Sequence, residues 1–229
     1  AQKMGFAQLI ELVSQVDGIE RIRFMTSHPK DFNDELIETM ASCPKVCPQL
    51  HLPVQAGSDR VLADMNRRYT RAGYLEKINK ARNAIPNLAV TSDIIVGFPT
   101  ETERDFEQTL SLLEEVRFDS VYSFIYSKRG GTAAAQMEPV LNETQVHQNF
   151  DRLLEVQNRI SKEINDTYLG GVYQILVEGK SKSDEHTLTG RTGTGKIVNF
   201  VGGEACAGKL MDVKITDVQT WSLFGEIVS

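Results

Sequence analysis

Four polar runs stand where short apolar segments end: Thr26-Ser27-His28, Gln55-Ala56-Gly57-Ser58, Gly97-Phe98-Pro99-Thr100, and the longer Tyr126-Ser127-Lys128-Arg129-Gly130-Gly131-Thr132. Each offers hydroxyl, amide or backbone N–H groups, and in a parallel α/β barrel ligands are held at the C-terminal ends of the strands. The same residue types cap helices and make βα turns with no ligand present. One such run alone therefore says little, whereas four converging on one rim suit a polar ligand of several parts.

Cys43 and Cys47 have a CxxxC spacing, but Leu50 stands where a CxxxCxxC motif needs its third cysteine, and Cys206 lies far away. Both precede prolines, so the pair reads as ordinary thiols near a helix end, and no metal-ligand constellation is left over. His28 follows a strand and can reach a ligand; His51 alternates within a strand pattern and reads as packed. Three cysteines are an odd number, which argues against a disulfide framework and for a reducing, cytoplasmic compartment. No apolar run approaches the roughly 20 residues of a membrane helix, so no membrane partner is expected.

The elements that must position these groups follow from apolar periodicity. Phe6, Leu9, Ile10 and Val13 recur at helix spacing, so the chain opens on a helix. Strands are expected over Arg21–Met25, Leu50–Gln55, Leu88–Val96 and Ser120–Tyr126, each followed by a helical pattern. Thr100 and Glu103 have capping-box spacing ahead of Phe106, Leu110 and Leu113. A long helix over Asn142–Tyr168 bridges to a second texture of short β-prone runs: Val172–Glu178, Leu188–Arg191, Lys196–Phe200 and Leu210–Val218. The expected fold is α/β, a partial (βα) barrel with a parallel sheet over 1–166, followed by a small all-β domain over 167–229.

That second domain carries Lys180, Lys182, Arg191 and Lys196, which can meet phosphates, and Trp221, which can stack on a base. A net charge of -6 gives no global attraction to nucleic acid. Acidic residues are at least as numerous in the domain, so a solvated mixed-charge surface around a core tryptophan is the competing reading.

The runs RIRFMTSHPKDF, HLPVQAGSDRVLADMNRRYTRAGY, TSDIIVGFPTETERDFEQTL and RFDSVYSFIYSKRGGTAAA resemble consecutive segments of the radical SAM domain of the methylthiotransferase family. ILVEGKSK, LTGRTGTGKIVNF and GKLMDVKITDVQTWSLFGE resemble its TRAM domain. FDSVYSFIYS and GRTGTGKIVNF point to the branch that inserts a methylthio group at C2 of isopentenyladenosine next to tRNA anticodons, over those acting on threonylcarbamoyladenosine or a ribosomal protein. By the family's segment order, the chain is expected to be the C-terminal part of a longer protein whose N-terminal domain and CxxxCxxC segment are absent here, and to be inactive alone.

The resemblance implies S-adenosylmethionine and two 4Fe-4S clusters, a reducing electron donor, and the tRNA anticodon stem-loop as partner. In the family the reduced cluster cleaves S-adenosylmethionine to a radical that abstracts hydrogen from adenosine C2; an auxiliary cluster gives sulfur and a second S-adenosylmethionine gives methyl. Matched by strand, Ser27, Gln55, Ser58, Arg67, Asp93, Gly97, Phe98, Tyr126 and Ser127 are the cofactor-binding candidates. Gln55 and Ser58 are assigned to ribose or carboxylate, Arg67 to the carboxylate, and Gly97 and Phe98 to close approach of adenine. Lys128, Gly130 and Ala133 depart from the family's usual YSPRPGTPAA. Two other readings remain open: a barrel lyase or aldolase, for which only Lys128 is a candidate Schiff-base lysine, and a non-catalytic RNA-binding module.

Overall fold

The computed structural model describes residues 4–26, 28–181 and 187–228. Helices α1 (Phe6–Ser14) and α2 (Asp34–Ser42) precede strand β1 (Gln49–His51); then come α3 (Asp59–Asp64), α4 (Arg71–Ala84), β2 (Ala89–Val96), α5 (Glu103–Val116), β3 (Ser120–Ile125) and the 24-residue α6 (Glu143–Asp166). The three strands form a parallel sheet in the order β1-β2-β3. On β2 the side chains alternate: Val90, Ser92, Ile94 and Val96 are fully buried, and Thr91, Asp93 and Ile95 half-buried. The buried face packs with Leu50, Leu52, Phe106, Leu112, Leu113, Phe118 and Leu153 into one core, so the open face is left to line a concave surface.

Two expected strands are shorter in the structure. Pro53 has no N–H to donate and interrupts the segment after His51, so pairing resumes only as a bridge from Gln55 to Ile94. Over Arg21–Met25 there is only the bridge from Ile22 to Val46. Ile22 is buried there, while Arg21 and Arg23 reach away to the second domain, donating to the carbonyls of Arg191, Gln174 and Thr192 at 2.8, 2.7 and 2.6 Å.

The capping box of α5 lies two residues beyond the expected one. Thr102 is the N-cap and Asp105 returns the bond; the Thr100 hydroxyl instead donates to Asp64 at 2.5 Å. Both registers fit the sequence pattern, and burial of Asp105 selects the second.

The remaining strands β4 (Val172–Lys180), β5 (Thr187–Arg191), β6 (Ile197–Val201), β7 (Leu210–Val218) and β8 (Leu223–Ile227) close into a barrel in the order β4-β5-β6-β8-β7. Its core holds Ile175, Val177, Val198, Phe200, Val213, Ile215 and Leu223. The α6 residue Asn165 docks the barrel, donating to the carbonyls of Gln219 and Thr220 at 2.8 and 3.0 Å. Among the described residues, no helix is long and apolar enough to cross a membrane.

Candidate functional site

A cleft of about 480 Å³ opens at the C-terminal rim of the sheet, lined among others by Gln55, Arg67, Asp93, Ile95, Phe124, Tyr126 and Ser127. The backbone explains why these groups meet. Gln55 takes a left-handed φ of 72°, while its N–H and C=O bridge Asp93 and Ile95 of β2 at 2.9 Å each. Asn66, with φ of 57°, turns the chain at the end of α3, and the Arg67 N–H donates to the Leu62 carbonyl at 2.8 Å. This directs Arg67 back to the rim. Tyr126 continues β3 through its N–H to the Val96 carbonyl, 2.8 Å away, and its ring meets Phe98 edge-on at 5.4 Å.

The charges in the cleft are of both signs. Asp93 has its Oδ1 3.6 Å from His51 Nε2, and His51 Nδ1 lies 2.9 Å from the Thr91 hydroxyl. Burial pulls the His51 pKa down while Asp93 acts against it; the imidazole is therefore biased toward its neutral form. The Tyr126 hydroxyl is buried and has no hydrogen-bond partner among the described residues. A guanidinium, a carboxylate, an amide and a hydroxyl side chain lining one cleft are what a ligand carrying a carboxylate, an amine and sugar hydroxyls would complete. S-adenosylmethionine has those groups, so the residues present fit it.

The other cofactor candidates stand elsewhere. Ser58 is 1% exposed; it caps α3 and donates to Asp105 Oδ1 at 2.6 Å. Burial pushes the Asp105 carboxyl up, but donors from Arg60, Ser58 and Thr102 outweigh it and hold the group below the usual carboxylate range. Gly97, at φ of 75°, would set a Cβ only 2.6 Å from Val146 of α6, so its lack of a side chain serves helix packing. It borders a neighbouring cleft of about 300 Å³ that shares Ile125 and Tyr126. Phe98 is buried with Ala56, Val61 and Leu62. Ser27 lies outside the described residues.

Sequence reasoning missed Phe124 and Ile95 in the cleft, for which the period-2 alternation of β2 and β3 was the available signal; Arg129 and Thr132, from the expected strand-end run, line it as well. Sequence reasoning also missed Glu101, which is 1% exposed and accepts from the Gly97 N–H at 2.6 Å. Burial pushes its pKa up to about 7, partly opposed by that hydrogen bond.

In the β-barrel domain the basic candidates are not one free face. Lys196 Nζ is 2.8 Å from Asp119 Oδ1, with side chains 10% and 12% exposed. Its charge is engaged at the interface with the α/β domain. Arg191 pairs with Glu178 at 2.9 Å and Lys180 with Glu204; both pairs are exposed to solvent and exchangeable. Lys182 lies outside the described residues. Trp221 is 58% exposed, so the core-tryptophan reading does not hold.

Among the described residues, no three His, Cys, Asp or Glu side chains gather to hold a metal ion. Cys43 is half-buried and Cys47 buried. The residues present do not fit an iron–sulfur cluster.

The Radical SAM superfamily model matches residues 3–113 and the TRAM domain model residues 166–228. A tRNA-2-methylthio-N(6)-dimethylallyladenosine synthase of Acetivibrio thermocellus is 56% identical over 98% of this chain and 47% of its own length. Proteins of the same name from Clostridium botulinum strain Okra (53% identical, 98% of this chain, 50% of theirs) and Thermoanaerobacter sp. strain X514 (54%, 99% and 48%) are similar. The chain thus spans about half the length of the curated relatives it matches. Coproporphyrinogen III oxidase from Escherichia coli, described as a radical SAM enzyme, aligns with a TM-score of 0.50 at 12% identity over 88% of this chain and 50% of its own, which speaks for the fold alone. The chain thus carries a radical SAM segment followed by a TRAM domain, and along nearly its whole length it is similar, at over half identity, to one half of these synthases.

Proposed function

We propose that this chain is the cofactor-holding and RNA-docking portion of an enzyme that methylthiolates C2 of isopentenyladenosine next to the anticodon of tRNA. The observation that carries this is the mixed-charge rim cleft holding Arg67 and Asp93, on a chain 56% identical to a tRNA-2-methylthio-N(6)-dimethylallyladenosine synthase. Those names favour isopentenyladenosine over threonylcarbamoyladenosine or a ribosomal protein as substrate. The cytoplasm, where tRNA and reductants meet, is the matching compartment.

S-adenosylmethionine, with two iron–sulfur clusters and an electron donor in the complete protein, supplies the radical, the sulfur and the methyl group. The residues of this chain bind and orient. Arg67 meets the cofactor carboxylate, Asp93 its cationic groups, and Gln55 and Ser127 its hydroxyls, while Tyr126, backed by the buried Phe98, walls the far side. Ser58 and Gly97 act at one remove: Ser58 fixes α3, which leads to Arg67, and Gly97 lets α6 close against the rim. The TRAM domain contributes Trp221 to stack on a base and Lys180 and Arg191 to exchange acidic neighbours for phosphate, with Lys182 beside them in sequence.

Arg67→Ala in the complete protein tests the cofactor site. Losing a charge-assisted pair in a shielded cleft should cost about 2 kcal/mol of S-adenosylmethionine binding, with stem-loop affinity nearly unchanged. Unaltered cofactor affinity would remove Arg67 from the site.

A further inference from the structure

The open face of β3, which lines the concave side of the sheet, carries two large rings that are half-exposed among the described residues. Val121 is 7% exposed and faces the helices, whereas Tyr122 and Phe124 are 53% and 52% exposed on the opposite face. The parallel register sets Tyr122 beside Asp93 and Phe124 beside Ile95. His51 meets the Tyr122 ring edge-on at 5.8 Å and lies 3.6 Å from Asp93. This fixes one side of the aromatic pair.

The pair is continuous with the rim cleft at one end only. Phe124 lines the cleft, whereas Tyr122 lies one step further along the same open face. Two residues along a strand are about 7 Å apart, so one planar ring system can contact both. Aliphatic side chains would cover an apolar chain equally well, but two aromatic faces beside a carboxylate suit a flat base bearing an exocyclic N–H. Resting on the tRNA-adenosine reading above, we infer that Tyr122 and Phe124 form the platform on which the substrate adenine stacks, next to the cofactor cleft, with Asp93 accepting from its exocyclic nitrogen.

The test uses the complete protein and an anticodon stem-loop with 2-aminopurine at the target position, whose fluorescence is quenched on stacking. Tyr122→Leu and Phe124→Leu keep apolar volume at half-exposed positions and remove the π face. Each should weaken binding about 5- to 100-fold, reduce the quenching, and leave the salt dependence unchanged; Tyr122→Trp should keep both affinity and quenching. A stem-loop abasic at the target position should bind the Leu variants and the unsubstituted protein alike. Unsubstituted protein that fails to bind the stem-loop overturns the tRNA reading and this inference with it. Binding in which the Leu variants match the unsubstituted protein in affinity and quenching overturns this inference alone.

Discussion

Replacing Lys196 by alanine should loosen the junction between the two domains and leave phosphate binding alone. The ammonium lies 2.8 Å from Asp119 Oδ1, with both side chains about nine-tenths buried; Asp119 Oδ2 also accepts from the Val90 N–H at 2.9 Å. Removing one member of a buried pair strands the other charge, at a cost of about 3 to 5 kcal/mol when burial is complete. The residual exposure and the retained Val90 bond reduce this to about 2 to 3 kcal/mol. For a chain of this size that lowers Tm by roughly 5 to 10 °C. Asp119→Asn with Lys196→Met removes both charges and should recover most of the loss. Thermal unfolding of the single and double variants, alongside stem-loop titrations over a range of salt, measures both effects. Unchanged Tm for Lys196→Ala, together with a log K versus log salt slope reduced by about 1, would refute the reasoning and return Lys196 to the RNA.

Glu101 should make stability fall with rising pH. Its native pKa of about 7 lies above its ordinary 4.5, so the folded chain holds the proton where the unfolded chain has lost it, and stability declines by about 3 kcal/mol as pH rises from 4.5 to about 7. Glu101→Gln keeps an acceptor for Gly97 and should flatten that part of the denaturation profile; an unchanged profile would show that Glu101 is ionised throughout. Trp221→Ala should cost about 1 to 3 kcal/mol of stem-loop binding with an unchanged salt slope, and little stability, since the ring is mostly exposed; a large drop in Tm with RNA affinity intact would contradict this. Gly97→Ala forces both a left-handed φ and a contact with Val146; denaturant unfolding should register a loss of about 2 kcal/mol or more.

Where the pattern is periodic, the elements were legible. Alternation along Leu88–Val96 and the long helical pattern over Asn142–Tyr168 follow from which face is buried, and β2 and α6 lie where those patterns put them. The segment at β8 was missed because Gly225 interrupts its apolar run. The structure shows why a glycine is there: a Cβ would lie 2.4 Å from the Lys214 carbonyl. Strand-end residues were harder to assign, because a serine or glycine at a βα turn has the same composition whether it serves a ligand or a helix. Ser58 and Gly97 turned inward, and Gln55, Arg67, Asp93, Tyr126 and Ser127 came to the cleft. Nor could local sequence reveal that Lys196 has its counter-charge on a loop of the other domain. Acidic neighbours were visible near Lys180 and Arg191, but their geometry was not.

Incubating the complete, cluster-loaded protein with S-adenosylmethionine, a reductant and anticodon stem-loops, and reading the RNA by mass spectrometry, tests the proposed methylthiolation most directly. A stem-loop bearing isopentenyladenosine should gain the mass of a methylthio group in place of the C2 hydrogen, and one bearing threonylcarbamoyladenosine should not. Gain on the second RNA alone, or on neither with the cofactor bound, would contradict the assignment.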